Sequence, residues 1–455
     1  YVQDYKMKKF VDMSQFAQEF FAVIEESLRA NREAVKKYIE QQTKHIIAVF
    51  QQEAAGLENI LRGRFSTGEE AALSPALARR LYTWQGRLSG SVTRFENFYA
   101  CPFRHFAQYG LRLAERPICQ FTAPDFGTLL HDVMRRFGER LQAEKRRWSE
   151  VSAEERHQLT AKIMAEEAPQ VQNEILLSTA QYQNLQERIA RTAESSLARL
   201  SAYDAQSAFH PRYFELRFGE ESPFGSLVHY ELDESCTLDV VGQIDRVDLS
   251  RLEEGGPLYF LVIDYKSGRT DLSLDEVYYG LRLQLLTYVL ATSRILQKEM
   301  IQQKPAGMLY CLLQNPRQEG KTSAFRREEA CGALWKKLQM TGWLLDDTAV
   351  LQRIDNSHRF VKIAFNKDGS LSANSRKNVR TLEEMRALLR YTSYQLRTAG
   401  QGVLSGQIAA RPYRKAARHA CEYCAYRAVC GFDLKLPGFM YRDLPDLEDF
   451  SRAMA

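Results

Sequence analysis

The chain has no apolar run approaching the length of a membrane span and no signal peptide at its start. Neither a helical membrane anchor nor secretion is therefore expected. Cysteine is sparse, at eight in 455 residues, which excludes the disulfide framework of short secreted domains. Cys119, Cys236, Cys311 and Cys331 are scattered in apolar or mixed surroundings and read as free, mostly buried thiols, suited to a reducing cytoplasm. Net charge is small, at +5. That excess permits nucleic-acid binding without arguing for it, because binding depends on where the charge sits. A nucleotide motor is missing too. "EGKT" (Glu319–Thr322) ends like a phosphate-binding loop, but Asn315 stands where that loop needs glycine. The chain also opens on Tyr1 without an initiator methionine, and is read as a piece of something longer.

What is present suits a globular protein of two or three domains. Residues 14–61 carry Phe16, Phe20, Ile24, Ile39, Ile46 and Phe50 at helical spacing, and Ser66–Pro75 reads as a linker. The expected division is a helical segment over 1–75, a main domain over 76–440 and a tail over 441–455. Ser91 is an N-cap candidate. Residues 127–145 and 153–203 read as helical, 211–265 as strands, 274–297 as one long helix and 306–315 as another strand. Lys367-Asp368-Gly369 suits a hairpin turn. Thr381 with Glu384 forms a capping box that opens a helix to about residue 404.

Chemistry concentrates in two stretches, "VVGQIDRVDLS" (240–250) and "LYFLVIDYKSG" (258–268), separated by the turn-rich "RLEEGGP". They read as two antiparallel strands. The second is apolar almost throughout, as a buried central strand is, yet it ends in Asp264-Tyr265-Lys266. Period-two geometry puts Asp264 and Lys266 on one face, where they are expensive to bury without a use. Asp245 lies on the partner strand. Two carboxylates converging at strand ends make a hard-cation site for magnesium or manganese. Lys266 would orient a water or offset charge on a phosphate. An Asp–Lys surface pair is the competing reading of these residues alone. Three features add weight: His131 near a helix start, as a third ligand; Gln284 and Tyr288 at i, i+4 on one helix face; and "HACEYCAYRAVCGFD" (419–433), with Cys421, Cys424 and Cys430 within ten residues. Thiolates at such spacing suit zinc or an iron–sulfur cluster.

Asp245, Asp264-x-Lys266, the upstream His131 and the downstream Gln284-x-x-x-Tyr288 resemble the RecB-like branch of the PD-(D/E)xK nucleases. "YACPF" (99–103) before them and C-x2-C-x5-C after them narrow the resemblance to the AddB-type nuclease region, over roughly residues 88–435. The resemblance implies an α/β restriction-endonuclease-like core with a mixed sheet flanked by helices. It implies His131, Asp245, Asp264 and the Tyr265 carbonyl as Mg2+ (or Mn2+) ligands, Lys266 as catalytic lysine, and Gln284 and Tyr288 at the active site. It implies Cys101 as a fourth thiolate beside Cys421, Cys424 and Cys430, together holding a [4Fe–4S] cluster that pins both ends of the domain. It further implies an AddA-like helicase–nuclease partner in a heterodimer that uses the ATP, degradation of the 5′-ended DNA strand, and Chi recognition by a helicase-like part outside this chain.

Arg411, Arg414, Lys415 and Arg418, with Arg376, Lys377 and Arg380, are the candidate phosphate contacts. The expectation is a cytoplasmic bacterial DNA exonuclease domain that acts on single strands at broken ends. A stand-alone nuclease of the CRISPR-associated type and a non-catalytic, metal-stapled DNA-binding scaffold are the rival readings.

Overall fold

The computed structural model of the protein describes residues 15–22, 36–49, 51, 72–116, 120–172, 174–299, 301–314, 335–436 and 438–447. The chain divides into two units, Tyr1–Glu69 and Glu70–Ala455. In the first, residues 15–22 and 36–49 are helical. Most of the expected linker, Cys119, Cys331 and the "EGKT" stretch lie outside the described residues.

The second unit is organised by a nine-stranded mixed sheet. Its strands are β1 (Thr83–Trp84), β2 (Arg87–Ser91), β3 (His210–Phe218), β4 (Val228–Asp233), β5 (Cys236–Arg251), β6 (Leu258–Lys266), β7 (Gln303–Leu312), β8 (Thr341–Leu345) and β9 (Val379–Arg380). The order is β1-β2-β5-β6-β7-β8-β9, with β3 and β4 also paired to β5. The sixteen-residue β5 serves two neighbourhoods. Its first half pairs with β2 and β4, its second with β3 and β6. The β5–β6 pair is antiparallel, as the turn-rich connector between the two runs implies, and β6–β7 is parallel.

Helices cover both faces. On one face α2 (Ala123–Ala143), α3 (Ala153–Glu167) and α4 (Ala180–Gln206) bury Leu130, Phe137, Ile163 and Leu197. On the other, α1 (Val92–Ala100), α5 (Gln284–Lys298) and α6 (Leu382–Leu404) bury Phe95, Leu286, Val289 and Leu396. The central strand β6 feeds both layers by strict alternation. Tyr259, Leu261, Ile263 and Tyr265 enter the first; Leu258, Phe260 and Val262 enter the second.

Local signals are met where the chemistry is local. Thr381 Oγ1 accepts from the Glu384 amide at 3.1 Å while Glu384 returns to the Thr381 amide at 2.7 Å, and α6 starts there. Gly369 takes a positive φ in the expected hairpin turn, which bridges Phe365 to Leu371. Ser91 occupies the N-cap of α1 but makes no side-chain cap bond. Two expected helices are interrupted. The 153–203 stretch leaves the α-helix after Glu167, where Pro169 interrupts the backbone pattern, and resumes at Ala180. The 274–297 stretch is a short turn, Leu274–Tyr278, followed by Gly280 at φ +73° and then α5. A Cβ at Gly280 would stand 2.2 Å from the Tyr99 ring, so only glycine fits. This break makes Gln284 the first residue of α5 rather than a mid-helix position. Among the described residues no helix is long and apolar enough to cross a membrane.

Candidate active site

Asp264 continues the even-numbered row of β6 after Phe260 and Val262, and is 1% exposed. A carboxylate in such a row costs several kcal/mol unless it is paired, by general estimates of about that size. Its partner is Lys266, two residues on and on the same face, with Nζ 2.6 Å from Asp264 Oδ2. Lys266 Nζ also donates to Gln284 Oε1 at 3.0 Å, and Gln284 Nε2 donates to the Tyr288 hydroxyl at 2.8 Å. The two i, i+4 residues of α5 thus form a chain that ends on the lysine.

The register that pairs Arg246 with Ile263 sets Asp245 opposite Asp264. Asp245 Oδ2 accepts the Tyr265 amide at 2.6 Å, which anchors the carboxylate to the neighbouring strand. Its Oδ1 lies 3.4 Å from His131 Nδ1 on α2. The buried Tyr265 ring packs edge-on against the His131 imidazole, centroids 5.7 Å apart. Sequence reasoning missed Glu215. It sits on β3 between the pairs Phe214–Arg246 and Leu216–Ile244, hence facing Asp245, with φ +47°. Glu215 Oε1 is 4.0 Å from His131 Nδ1, and the Gln243 amide holds its carboxylate. One ligand atom each from His131, Glu215 and Asp245 lie within 4.8 Å of one another.

Burial, and then the neighbouring Asp245 charge, raises the cost of ionising Asp264 and Glu215. Burial, then the Asp245 charge, pushes Asp264 up to about 7 against the pull of Lys266 and His131. Burial and Asp245 push Glu215 up to about 6. For His131, burial opposes the protonated form, but the Asp245 bond and charge outweigh it and its pKa is raised. A bound cation would relieve this strain directly.

A second overlooked residue is Glu96 on α1. Its Oε1 accepts the amides of Leu283 and Gln284 at 2.7 and 3.1 Å, capping α5 from another helix. Burial pushes its carboxyl up despite those bonds. The signal available in the sequence was one acid inside the aromatic "RFENFYACPF" run.

The expected [4Fe–4S] cofactor is corrected. Cys101 is buried beside Ala100 and Ala420, and burial pushes its thiol up to about 11 against the pull of the Arg104 and Phe103 amides. Burial also raises Cys421. Cys430 Sγ is engaged locally, with the Phe432 amide at 3.5 Å and the Arg427 carbonyl at 3.6 Å. Among the described residues the set whose ligand atoms gather within 4.8 Å is His131, Glu215 and Asp245, and neither Cys101 nor Cys421, Cys424 or Cys430 enters such a set. The cation site is one of nitrogen and oxygen donors, not sulfur. The two ends of the domain do meet, through other contacts. Phe103 N donates to the Ala409 carbonyl at 3.2 Å, the Tyr426 hydroxyl to the Leu113 carbonyl at 3.2 Å, and Arg442 to the Tyr99 carbonyl.

Of the basic candidates near the C-terminus, Arg414 makes a two-pronged pair with Asp443, and Lys415 bonds Asp275 and Asp446. Arg418 is exposed and lines a cleft of about 490 Å3 with Glu96 and Arg104. Arg411 also has an interaction partner.

Residues 89–431 match the PD-(D/E)XK nuclease superfamily. Three relatives, each named as an ATP-dependent helicase/deoxyribonuclease subunit, are similar over most of this chain. The protein of Desulforamulus reducens is 37% identical over 396 residues, 86% of this chain and 34% of its own length. Those of Bacillus thuringiensis (strain Al Hakam) and Bacillus anthracis are 35% and 36% identical over 405 residues, 87% of this chain and 34% of theirs. The chain thus spans about a third of the length of these relatives.

Proposed function

Because the chain is a member of the PD-(D/E)XK nuclease superfamily, we propose that it is the divalent-cation-dependent deoxyribonuclease part of a helicase–nuclease subunit. One observation carries the reading. Asp245 and Asp264, from paired strands, meet beside Lys266, His131 and Glu215 at the end of the most buried strand of the sheet.

The donor set fits a hard or borderline cation. It offers one imidazole and carboxylate oxygens, of which those of Asp264 and Glu215 are held back from ionising by burial and by Asp245. His131, Asp245 and Asp264, with the Tyr265 carbonyl and Glu215, would hold magnesium or manganese. When bound, such an ion polarises a phosphoryl oxygen and lowers the pKa of water. The chain's own residues do the rest. The Tyr265 amide fixes Asp245, and Asp245 orients His131. Lys266, held by Gln284 and through it by Tyr288, directs its ammonium at the attacking water and at charge growing on the phosphate. The water oxygen forms the new P–O bond as the ester P–O bond breaks; the water gives up its proton to solvent and the leaving oxygen takes one from solvent.

The substrate in this reading is single-stranded DNA from unwound ends during break processing, with the 5′-ended strand degraded. Unwinding and ATP use fall to an AddA-like partner in a heterodimer in the bacterial cytoplasm. Residues 1–75 belong to the tail of a helicase-like region, 76–440 to the nuclease domain and 441–455 to a C-terminal tail. Arg418, which lines the cleft beside Glu96 and Arg104, is the member of the 411–418 run that would meet phosphate. End-labelled single strands test the polarity. With magnesium, mononucleotides should be released first from 5′-labelled strands; release first from 3′-labelled strands contradicts the assignment.

A further inference from the structure

Beyond Lys266 the surface opens into a cleft of about 200 Å3, lined by Lys266, Arg269, Asp271, Lys337 and Lys362 among others. A second cleft of about 330 Å3 shares Asp271, Thr341 and Lys362 with it and continues to Lys377 and Arg380. Shared walls make the two one groove. It crosses four neighbouring strands, from Lys266 of β6 past Leu312 of β7 and Thr341 of β8 to Arg380 of β9. At about 4.8 Å per strand, its three steps span about 14 Å.

The charge along it is unbalanced. Among the described residues six cations line it against two carboxylates, Asp271 and Asp275, and Asp275 is already bonded by Lys415. Arg269, Lys337, Lys362 and Lys377 are exposed, and none of them forms an ion pair with a described residue. This contrasts with Arg414 and Lys415, whose charge is spent on Asp443, Asp275 and Asp446. Like charges in a row that no described residue pairs repel one another, and a polyanion relieves the repulsion. The aromatic residues of the lining offer no face for base stacking. Tyr310 and Trp343 are 3% and 2% exposed, and the Arg380 guanidinium covers the Trp343 ring at 4.6 Å. The groove is therefore built to read a backbone and not bases.

We propose that this groove binds the phosphodiester backbone of a single DNA strand, holding the phosphates next to the bond presented to Lys266. The inference rests on the nuclease reading and adds to it the side on which the strand runs and the residues that track it.

The test uses the full chain carrying Asp264→Asn, so that binding is read without cleavage. Affinity for a fluorescent oligothymidylate is measured against salt, with and without Arg269→Ala, Lys362→Ala and Lys377→Ala combined. Each lost phosphate contact should lower the slope of log affinity on log salt by about 0.7, so the triple variant should lose about 2. In the cleaving protein the same triple change should raise KM for long strands and leave kcat nearly unaltered. Lys362→Arg and Lys377→Arg in place of the two alanines should recover about 1.4 of that loss, because Arg269→Ala still lacks its contact. An unchanged slope and affinity in the triple variant overturns the groove, whether or not the protein cuts DNA. If the wild type fails to cut yet the triple variant loses binding, the nuclease reading fails and the groove stands. Inorganic tripolyphosphate is the competitor that separates a free anion from a strand. Displacement of the oligonucleotide at equal phosphate concentration would mean a small-anion site and would also overturn the proposal.

Discussion

Cation binding at the His131–Glu215–Asp245–Asp264 site should be strongly linked to protons. Burial and the Asp245 charge hold Asp264 up to about 7, and burial with Asp245 holds Glu215 up to about 6. Both must be ionised to act as ligands, and His131 must be neutral. Between about pH 8 and about pH 6 the ionised fraction of a group titrating near 7 falls about tenfold, and that of a group near 6 about twofold. Manganese affinity should therefore drop on the order of twentyfold across that window, and further as His131 takes a proton. The sign for the cation-free protein is opposite. Asp264 has a folded pKa above its unfolded value, so the folded state holds the proton more tightly. Its contribution is fully present at acid pH below the unfolded value and is lost as pH rises through about 7. Chelated protein should accordingly lose stability from this group between about pH 4 and pH 7, and manganese should restore it. Calorimetric titration in two buffers of different ionisation enthalpy reads both affinity and proton release. Affinity that is flat from pH 6 to 8, with no protons released, would refute the argument that these carboxylates are mutually strained ligands.

Three further outcomes follow from single contacts. Glu96→Ala should weaken the start of α5, loosen Gln284 from Lys266 and lower kcat, at a stability cost of about 1–2 kcal/mol for a lost cap; Glu96→Gln keeps the acceptor oxygen and should retain most activity, and equal loss in both variants contradicts the capping role. Asp248→Ala should cost about 3–5 kcal/mol in urea unfolding, because Arg246 and Asp248 are fully buried, doubly bonded at 2.6 and 2.7 Å, and Arg246 lies over Trp148; a loss under about 1 kcal/mol would show that the pair is dispensable. Calcium should occupy the carboxylates yet support little cleavage, since its looser geometry positions water poorly; turnover with calcium equal to that with magnesium, in otherwise chelated buffer, contradicts the site.

The legible parts of this protein are those whose signal is local or strictly periodic. The Thr381–Glu384 box, the placing of Asp264 and Lys266 on one face of β6, and the i, i+4 pair Gln284 and Tyr288 each lie within one element, and each is found as expected. Interruptions were harder to see. Gly280 looks tolerable in a helix until the Tyr99 ring, 181 positions away in sequence, takes the space a Cβ would need. Glu215 carries no motif. It matters because β3 lies antiparallel to β5 and sets it against Asp245, a fact of register across thirty residues. Glu96 likewise acts across 187 residues. The cysteines show the converse. Close spacing in "HACEYCAYRAVCGFD" does not by itself gather ligand atoms within 4.8 Å of one another, and among the described residues no cysteine enters such a set, while burial raises the thiols of Cys101 and Cys421. Ion pairing had the same effect on Arg414 and Lys415, whose partners Asp443, Asp275 and Asp446 are invisible in a count of basic residues.

The central claim is that Asp264, seated at the buried end of β6 beside Lys266 and Asp245, holds the cation that cuts DNA. Single-turnover cleavage of a labelled single strand by the full chain, with magnesium and after chelation, in wild type and Asp264→Asn, tests it most directly. The expected result is cleavage by the wild type with magnesium alone, no cleavage after chelation, and a loss of at least about a thousandfold in Asp264→Asn, whose strand binding stays near that of the wild type, the size expected when a metal-activated nucleophile is removed. Cleavage by Asp264→Asn within about tenfold of wild type, or cleavage that survives chelation, would contradict the account.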